Sequence, residues 1–344
     1  MTADSAAFSG EGSILKSLLM SGALASAAFL SPFAPAFAAD TIHDPWRGRI
    51  IDYRSSQGSL EDDDLRISVG AGYFNVRANE YVYFEGSTIS RLIWDVTSAA
   101  AIEARAEYDL TPRWTVFGSA TVGIHHDAFM ADYDWAWDPG SGEWTDRSRH
   151  PDTRLDHYFA FDVGASYAVW RRQGLALKLL GGARYTDLKM TAYGGDFVYS
   201  SEDGFRDYVG VFPDGERGIT YQQQFPVLYG GVGTSAKLGV ISLDAEVLGG
   251  VTVRASDRDE HWQRSILFRE SFHSSPYLGL QFRASVPVSR AGDAFLFARY
   301  ENHFKMKGDI RALDHSTGDS AYAEDAAGAS LRTLTLGLGA RIRF

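Results

Sequence analysis

After its first forty residues this sequence alternates. Large apolar side chains recur on one parity and small or polar ones on the other, almost to the last residue. Successive side chains on an extended strand point to opposite faces, so a period of two means strands with two unlike faces. Between His157 and Trp170 the apolar parity is Phe159, Phe161, Val163, Ala165, Tyr167 and Val169, set against Ala160, Asp162, Gly164, Ser166 and Ala168. From Ile241 it is Ile241, Leu243, Ala245, Val247 and Val251, and in the last strand Leu334, Leu336, Leu338, Ala340, Ile342 and Phe344. A soluble sandwich alternates too, but it hides its apolar face. A membrane barrel turns that face to lipid and keeps a polar lumen.

Two features favour the barrel. The chain ends on Phe344 at the close of an alternating strand, which resembles the C-terminal signal read by the outer-membrane barrel assembly machinery. The connections are also unequal, as membrane barrels have short turns at one end and longer loops at the other. Turns are read near 110–113, 171–174, 237–240 and 289–293, and polar loops near 77–90, 126–157, 193–221, 255–270 and 307–330. Four turns and five loops in strict alternation predict an all-β fold: a ten-stranded antiparallel transmembrane barrel, both termini on the turn side. Many strands exceed the 9–11 residues a bilayer needs, so the sheet is expected to project above the outer surface.

The N-terminus fits that destination. Ser17 to Phe33 is an apolar run preceded by Lys16, interrupted by Pro32 and followed by Ala36-Phe37-Ala38, which reads as a signal peptide over residues 1–38. Residues 39–344 then form one barrel domain, and no later stretch approaches the length of a spanning helix. The absence of cysteine removes thiol catalysis, disulfides and thiolate zinc sites. With 44 acidic against 33 basic side chains and a net charge of −11, the chain would repel nucleic acid and attract cationic partners.

Two short motifs could do chemistry. Asp132-Tyr133-Asp134 places two carboxylates on one strand face, and such a pair cannot cheaply ionise twice. Asp257-Arg258-Asp259-Glu260-His261 puts Asp259 and His261 on a shared face, where the acid fixes the imidazole tautomer. Both motifs lie toward the long-loop end, so they could meet across the barrel mouth. Taken alone, the first motif also suits a turn or a weak cation site and the second a solvated loop. Ser148 and His150 keep serine catalysis open, although no nucleophile elbow accompanies them.

At these residues the sequence resembles the omptin family of outer-membrane proteases. Three blocks carry the likeness: Met130 to Thr153, Gly194 to Arg217, and Ser256 to His261. The resemblance implies an endopeptidase that needs no metal or cofactor. Asp132 and Asp134 would form one catalytic pair and Asp259 and His261 the other, with a water between Asp132 and His261 as nucleophile. It also implies polypeptide substrates cut at Arg or Lys, with Glu80 and Asp257 in an acidic pocket for the basic side chain and Asp146 as a third acid beside the site. Lipopolysaccharide would be an activating partner, bound in this chain through Tyr185, Asp187 and Lys189. The strand-six position that is Arg in the family is Gln224 here. Two readings of other classes remain: a non-catalytic adhesin or structural barrel of the same fold, and a lipid-modifying barrel enzyme, which would need a Ser/His site at membrane level.

Overall fold

The computed structural model describes residues 64–135 and 142–344. The predicted signal peptide and the acidic residues 61–63 lie outside them. The segments, in chain order, are β1 (Leu65–Phe84), β2 (Ser87–Asp109), β3 (Trp114–Gly123), β4 (His126–Asp134), β5 (Asp146–Arg172), β6 (Leu175–Tyr199), β7 (Tyr208–Leu238), β8 (Ile241–Thr252), β9 (Ser256–His261), β10 (Ile266–Phe272), β11 (Ser275–Pro287), β12 (Gly292–Asp314) and β13 (Ser320–Arg343). All belong to one antiparallel sheet.

Three pairs of segments are single barrel strands interrupted once. β3 and β4 both pair with β2 and β5. In the same way β8 and β9 both pair with β7, and β10 and β11 both pair with β12. Thirteen segments less three gives the ten strands expected. The ring closes where β1 pairs with β13, from Arg66↔Arg343 to Val82↔Ala327. The two ends of the barrel chain meet at the turn end, where the Phe344 amide donates to the Leu65 carbonyl at 2.9 Å.

The far end differs from the sequence reading. Residues 77–90 are not a loop: β1 and β2 stay paired to a two-residue turn, Glu85–Gly86, whose φ values of 49° and 82° suit a hairpin turn. Much of 126–157, 193–221, 255–270 and 307–330 is likewise paired strand. Above the bilayer the outer face meets water, so polar residues there mark exposed strand as readily as loop.

The faces sort as a membrane barrel requires. Val69, Ile102, Val122, Phe161, Val163, Leu179, Val232, Leu296 and Leu338 are exposed on the outside of the lower half. Inside it, Arg184 donates to Glu301 at 2.7 Å and lies 3.6 Å from Asp162, while Tyr229 and Tyr277 donate to those two acids. These paired charges fill the lumen, leaving a cavity of about 600 Å³ toward the turns. Climbing the inner face of β1, the residues change from Ser68 through Phe74, Val76 and Ala78 to Glu80. The third barrel strand repeats this, from Ser119 and Thr121 through Ala128 and Met130 to Asp132. A polar lumen, an apolar plug and an acidic top are therefore stacked along the axis.

Candidate active site

The acidic layer above the plug gathers the residues singled out from the sequence. Asp132 and Asp134 follow Met130 on the inner face of β4, opposite Ser148 and Asp146 of β5. Glu80 enters from β1, and Asp257, Asp259 and His261 alternate along the inner face of β9. Glu80, Asp257, Asp259 and His261 are buried, while Asp132 and Asp134 stay partly open to the cleft. The two motifs lie within each other's field: the Asp259 charge acts on Asp132, and Glu80 feels Asp132, Asp257 and Asp259.

The histidine's protonation follows from its neighbours. Nε2 of His261 lies 2.5 Å from Asp259 Oδ2, and Nδ1 lies 2.6 Å from Arg264 Nη2. A guanidinium only donates, so Nδ1 must accept, and the ring proton sits on Nε2 and points at Asp259. Burial lowers the His261 pKa; Asp259 opposes that and Arg264 reinforces it. The imidazole is therefore neutral near pH 7, with one lone pair, on Nδ1.

The opposite pair behaves differently. Burial, then the charge of Asp134, pushes the Asp132 carboxyl well above its usual range, against the pull of Arg264 and a 3.2 Å hydrogen bond from Ser90. Asp134 is pushed up to about 6 by burial. One proton between two carboxyls is therefore the expected state above about pH 6, where the first of the two protons has left. Asp146 sits beside Asp134, holding Thr145 Oγ1 at 2.6 Å and the Ser200 amide at 2.9 Å.

Asp257 lies deeper, its Oδ2 accepting from the Tyr221 hydroxyl at 2.7 Å, and burial pushes it up to about 8. Ser148 donates to His150 Nε2 at 3.0 Å, because His150 Nδ1–H is committed to the Gly194 carbonyl at 2.5 Å. The pair is hydrogen-bonded and buried, but the imidazole is oriented by a backbone carbonyl rather than a carboxylate.

Tyr185, Asp187 and Lys189 lie apart from this cleft, on the outer face of β6. Asp187 is enclosed by His157, Gln222, Gln224 and Tyr185, all within 3.3 Å. Lys189 opens instead into an outward cavity of about 390 Å³ that also holds Arg217, Arg258 and Trp262. Sequence reasoning missed Arg264 and Glu270. Each stands within three to nine residues of His261, but neither belongs to a spaced motif that would have marked it.

These features define a class: a transmembrane β-barrel of the outer membrane whose strands carry an acid-lined cleft above the bilayer. Residues 61–344 match the Omptin family, and the chain belongs to it. It is 30% identical over 282 residues to Protease 7 of Escherichia coli strain K12, covering 78% of this chain and 87% of that one. It is 29% identical over 296 residues to the plasminogen activator of Yersinia pestis, covering 83% and 91%. The crystal structure of the Escherichia coli outer membrane protease OmpT superposes with a TM-score of 0.78 at 27% identity, covering 84% of this chain and 99% of that one.

Proposed function

We propose that this chain is a surface-facing endopeptidase that cuts polypeptides next to Arg or Lys by direct attack of water. The observation that carries the reading is that a neutral, Asp259-oriented His261 and the Asp132 carboxyl both lie in the field of the same two groups, Asp259 and Arg264. His261 would take the water's proton at Nδ1 once the water replaces Arg264 on that lone pair, with Asp259 stabilising the imidazolium that forms. Asp132 and Asp134, sharing a proton, would hold the water on one side and protonate the departing amine or the tetrahedral oxygen on the other. The substrate's basic side chain would enter between Glu80 and Asp257, where charge-assisted hydrogen bonds replace its hydration. Asp146 would extend the acidic wall beside Asp134.

Lipopolysaccharide, in this reading, binds the outer face at Tyr185, Asp187 and Lys189, and Phe344 marks the chain for barrel assembly. The test is a quenched peptide with an Arg-Arg or Arg-Lys bond, offered to folded protein with and without lipopolysaccharide. Cleavage at the basic bond by the parent, and its loss in Asp132→Asn and His261→Ala, is the expected result. Unchanged turnover in both variants would refute the mechanism, and no turnover by the parent would favour the non-catalytic barrel.

A further inference from the structure

Around Asp257 the barrel buries more acceptors than its own donors can serve. With the carboxyls ionised, Glu80 Oε2, Asp257 Oδ1, both Glu270 carboxylate oxygens and Gln223 Oε1 are buried with no donor from the described residues; only a proton shared between Asp257 and Glu270 would join those two. Glu270 is only 3% exposed and lies directly opposite Asp257 in the β9–β10 register. Gln223 cannot help it, because its Nε2 is spent on the Tyr221 hydroxyl at 2.8 Å and the Asn79 carbonyl at 3.4 Å. Tyr221 in turn donates to the other oxygen of Asp257. Buried acceptors in such number are expected to meet a ligand's donors, and a guanidinium supplies five in a planar fork.

We propose that Glu270 is a third carboxylate of the pocket for the substrate's basic side chain, and that it shares with Asp257 a proton which the arriving cation displaces into solvent. The inference rests on the reading of Glu80 and Asp257 as that pocket. Two carboxyl groups facing each other in a dry site can be held together only by a proton or by a cation. Among the described residues, the charges that act on Glu270 are those of acids. Asp257 and Asp259 face it from β9, Glu80 and Tyr83 act from β1 and Tyr221 from β7, while Ile310 opposes it on β12. The nearby ammoniums of Lys305 and Lys307 stack on the rings of Tyr81 and Tyr83. Burial and the neighbouring acids hold the Glu270 carboxyl well above its ordinary range, which favours the protonated empty state.

The test uses the folded, full-length protein in detergent and two readouts. For peptides matched except for Arg, Lys or Gln before the scissile bond, KM for the basic pair should fall as pH rises from about 6 to 9, as the pocket sheds its proton. In Glu270→Gln, KM for them should rise about tenfold or more with kcat within about threefold, and its pH dependence should flatten. Independently, calorimetry of agmatine binding in buffers of unlike ionisation heat should detect proton release by the parent, and less by Glu270→Gln. Agmatine binding by the parent without proton release would overturn the proposal with no variant needed, as would a Glu270→Gln variant with parental KM and proton release. A parent that cleaves the Gln peptide as well as the basic ones would instead refute the pocket reading itself.

Discussion

The guanidinium of Arg264 donates to Nδ1 of His261 across 2.6 Å, covering the one lone pair that the imidazole has for a water proton. Arg264 also acts on Asp132 and Asp134, lowering both, so it is a positive charge serving both halves of the cleft. Removing it should raise the pKa of His261, Asp132 and Asp134 together. A base works above its pKa, so the acid limb of the kcat/KM profile should move to higher pH in Arg264→Ala. The check is a pH–rate series on the quenched basic peptide; a limb that stays in place or moves to lower pH would contradict the assignment.

Asp259 fixes the tautomer, because its carboxylate accepts the Nε2 proton of His261. An amide at that position can present an N–H instead and favour the wrong tautomer. Asp259→Asn should therefore lower kcat by about 10²- to 10⁴-fold with little change in KM. His261→Ala should cost a similar factor, and the double variant little more than either single one, since the two residues act as a unit. Steady-state kinetics on the four proteins measures this, and additive losses would mean that the residues act separately.

Ser148 offers a rival nucleophile, since its hydroxyl donates to a buried His150. Burial lowers the His150 pKa to about 4, so the ring is neutral at working pH but weakly basic. With a backbone carbonyl on its Nδ1 and Asp196 acting only through space, the imidazolium formed during attack would have weaker support than a carboxylate-bonded one. Incubation with a serine-directed fluorophosphonate should leave intact mass and peptide cleavage unchanged. An adduct on Ser148 with matching loss of activity would replace water attack by an acyl-enzyme route.

The buried pocket acids also set a pH dependence of stability. Asp257 titrates near 8 in the folded chain against an ordinary carboxylate value of 3.8. Its folded form holds the proton more tightly, so its contribution is full below about 4 and is lost as pH rises through about 8. At pH 9 the ionised, crowded carboxylate opposes folding by up to a few kcal/mol. Asp257→Asn should therefore gain stability relative to the parent on going from pH 5 to pH 9. Thermal unfolding in detergent at both pH values checks it, and an equal offset at both would show that Asp257 is not the group responsible.

The barrel was legible because lipid outside and polar lumen inside impose one alternation over many residues, and Phe161, Val163, Leu336 and Leu338 carry it plainly. The acid pairs were legible only locally, as residues two apart that share a face. Which face they share was not. Val247 and Val251 point outward, and an unbroken strand would carry Asp257, Asp259 and His261 outward with them. The break between β8 and β9, with Arg254 at φ 50°, reverses the parity and turns all three inward. The break between β3 and β4 does the same for Asp132 and Asp134, since Ser119 and Thr121 face in on the opposite parity. The β8–β9 reversal, over 253–255, has no Gly or Pro to announce it, the β3–β4 one has only Gly123 at its edge, and Glu270 depends on a third, between β10 and β11.

That same β9 connects the cleft to the outer surface. Arg258, Glu260 and Trp262 project outward between and beyond the inward Asp257, Asp259 and His261, and they wall the cavity into which Lys189 and Arg217 open. An anionic lipid headgroup seated there would pair with Lys189, Arg217 and Arg258, and β9, which also holds His261, runs from that cavity to the cleft. If lipopolysaccharide activates this chain, Lys189→Ala and Arg258→Ala should each raise the lipid concentration needed for half-maximal cleavage, by about tenfold for the loss of about 1.4 kcal/mol of charge-assisted binding. Activity at saturating lipid should stay near the parent's, because neither side chain enters the cleft. A lipid titration of peptide cleavage decides it: an unchanged midpoint in both variants would move the lipid site elsewhere, and full activity without lipid would remove the requirement altogether.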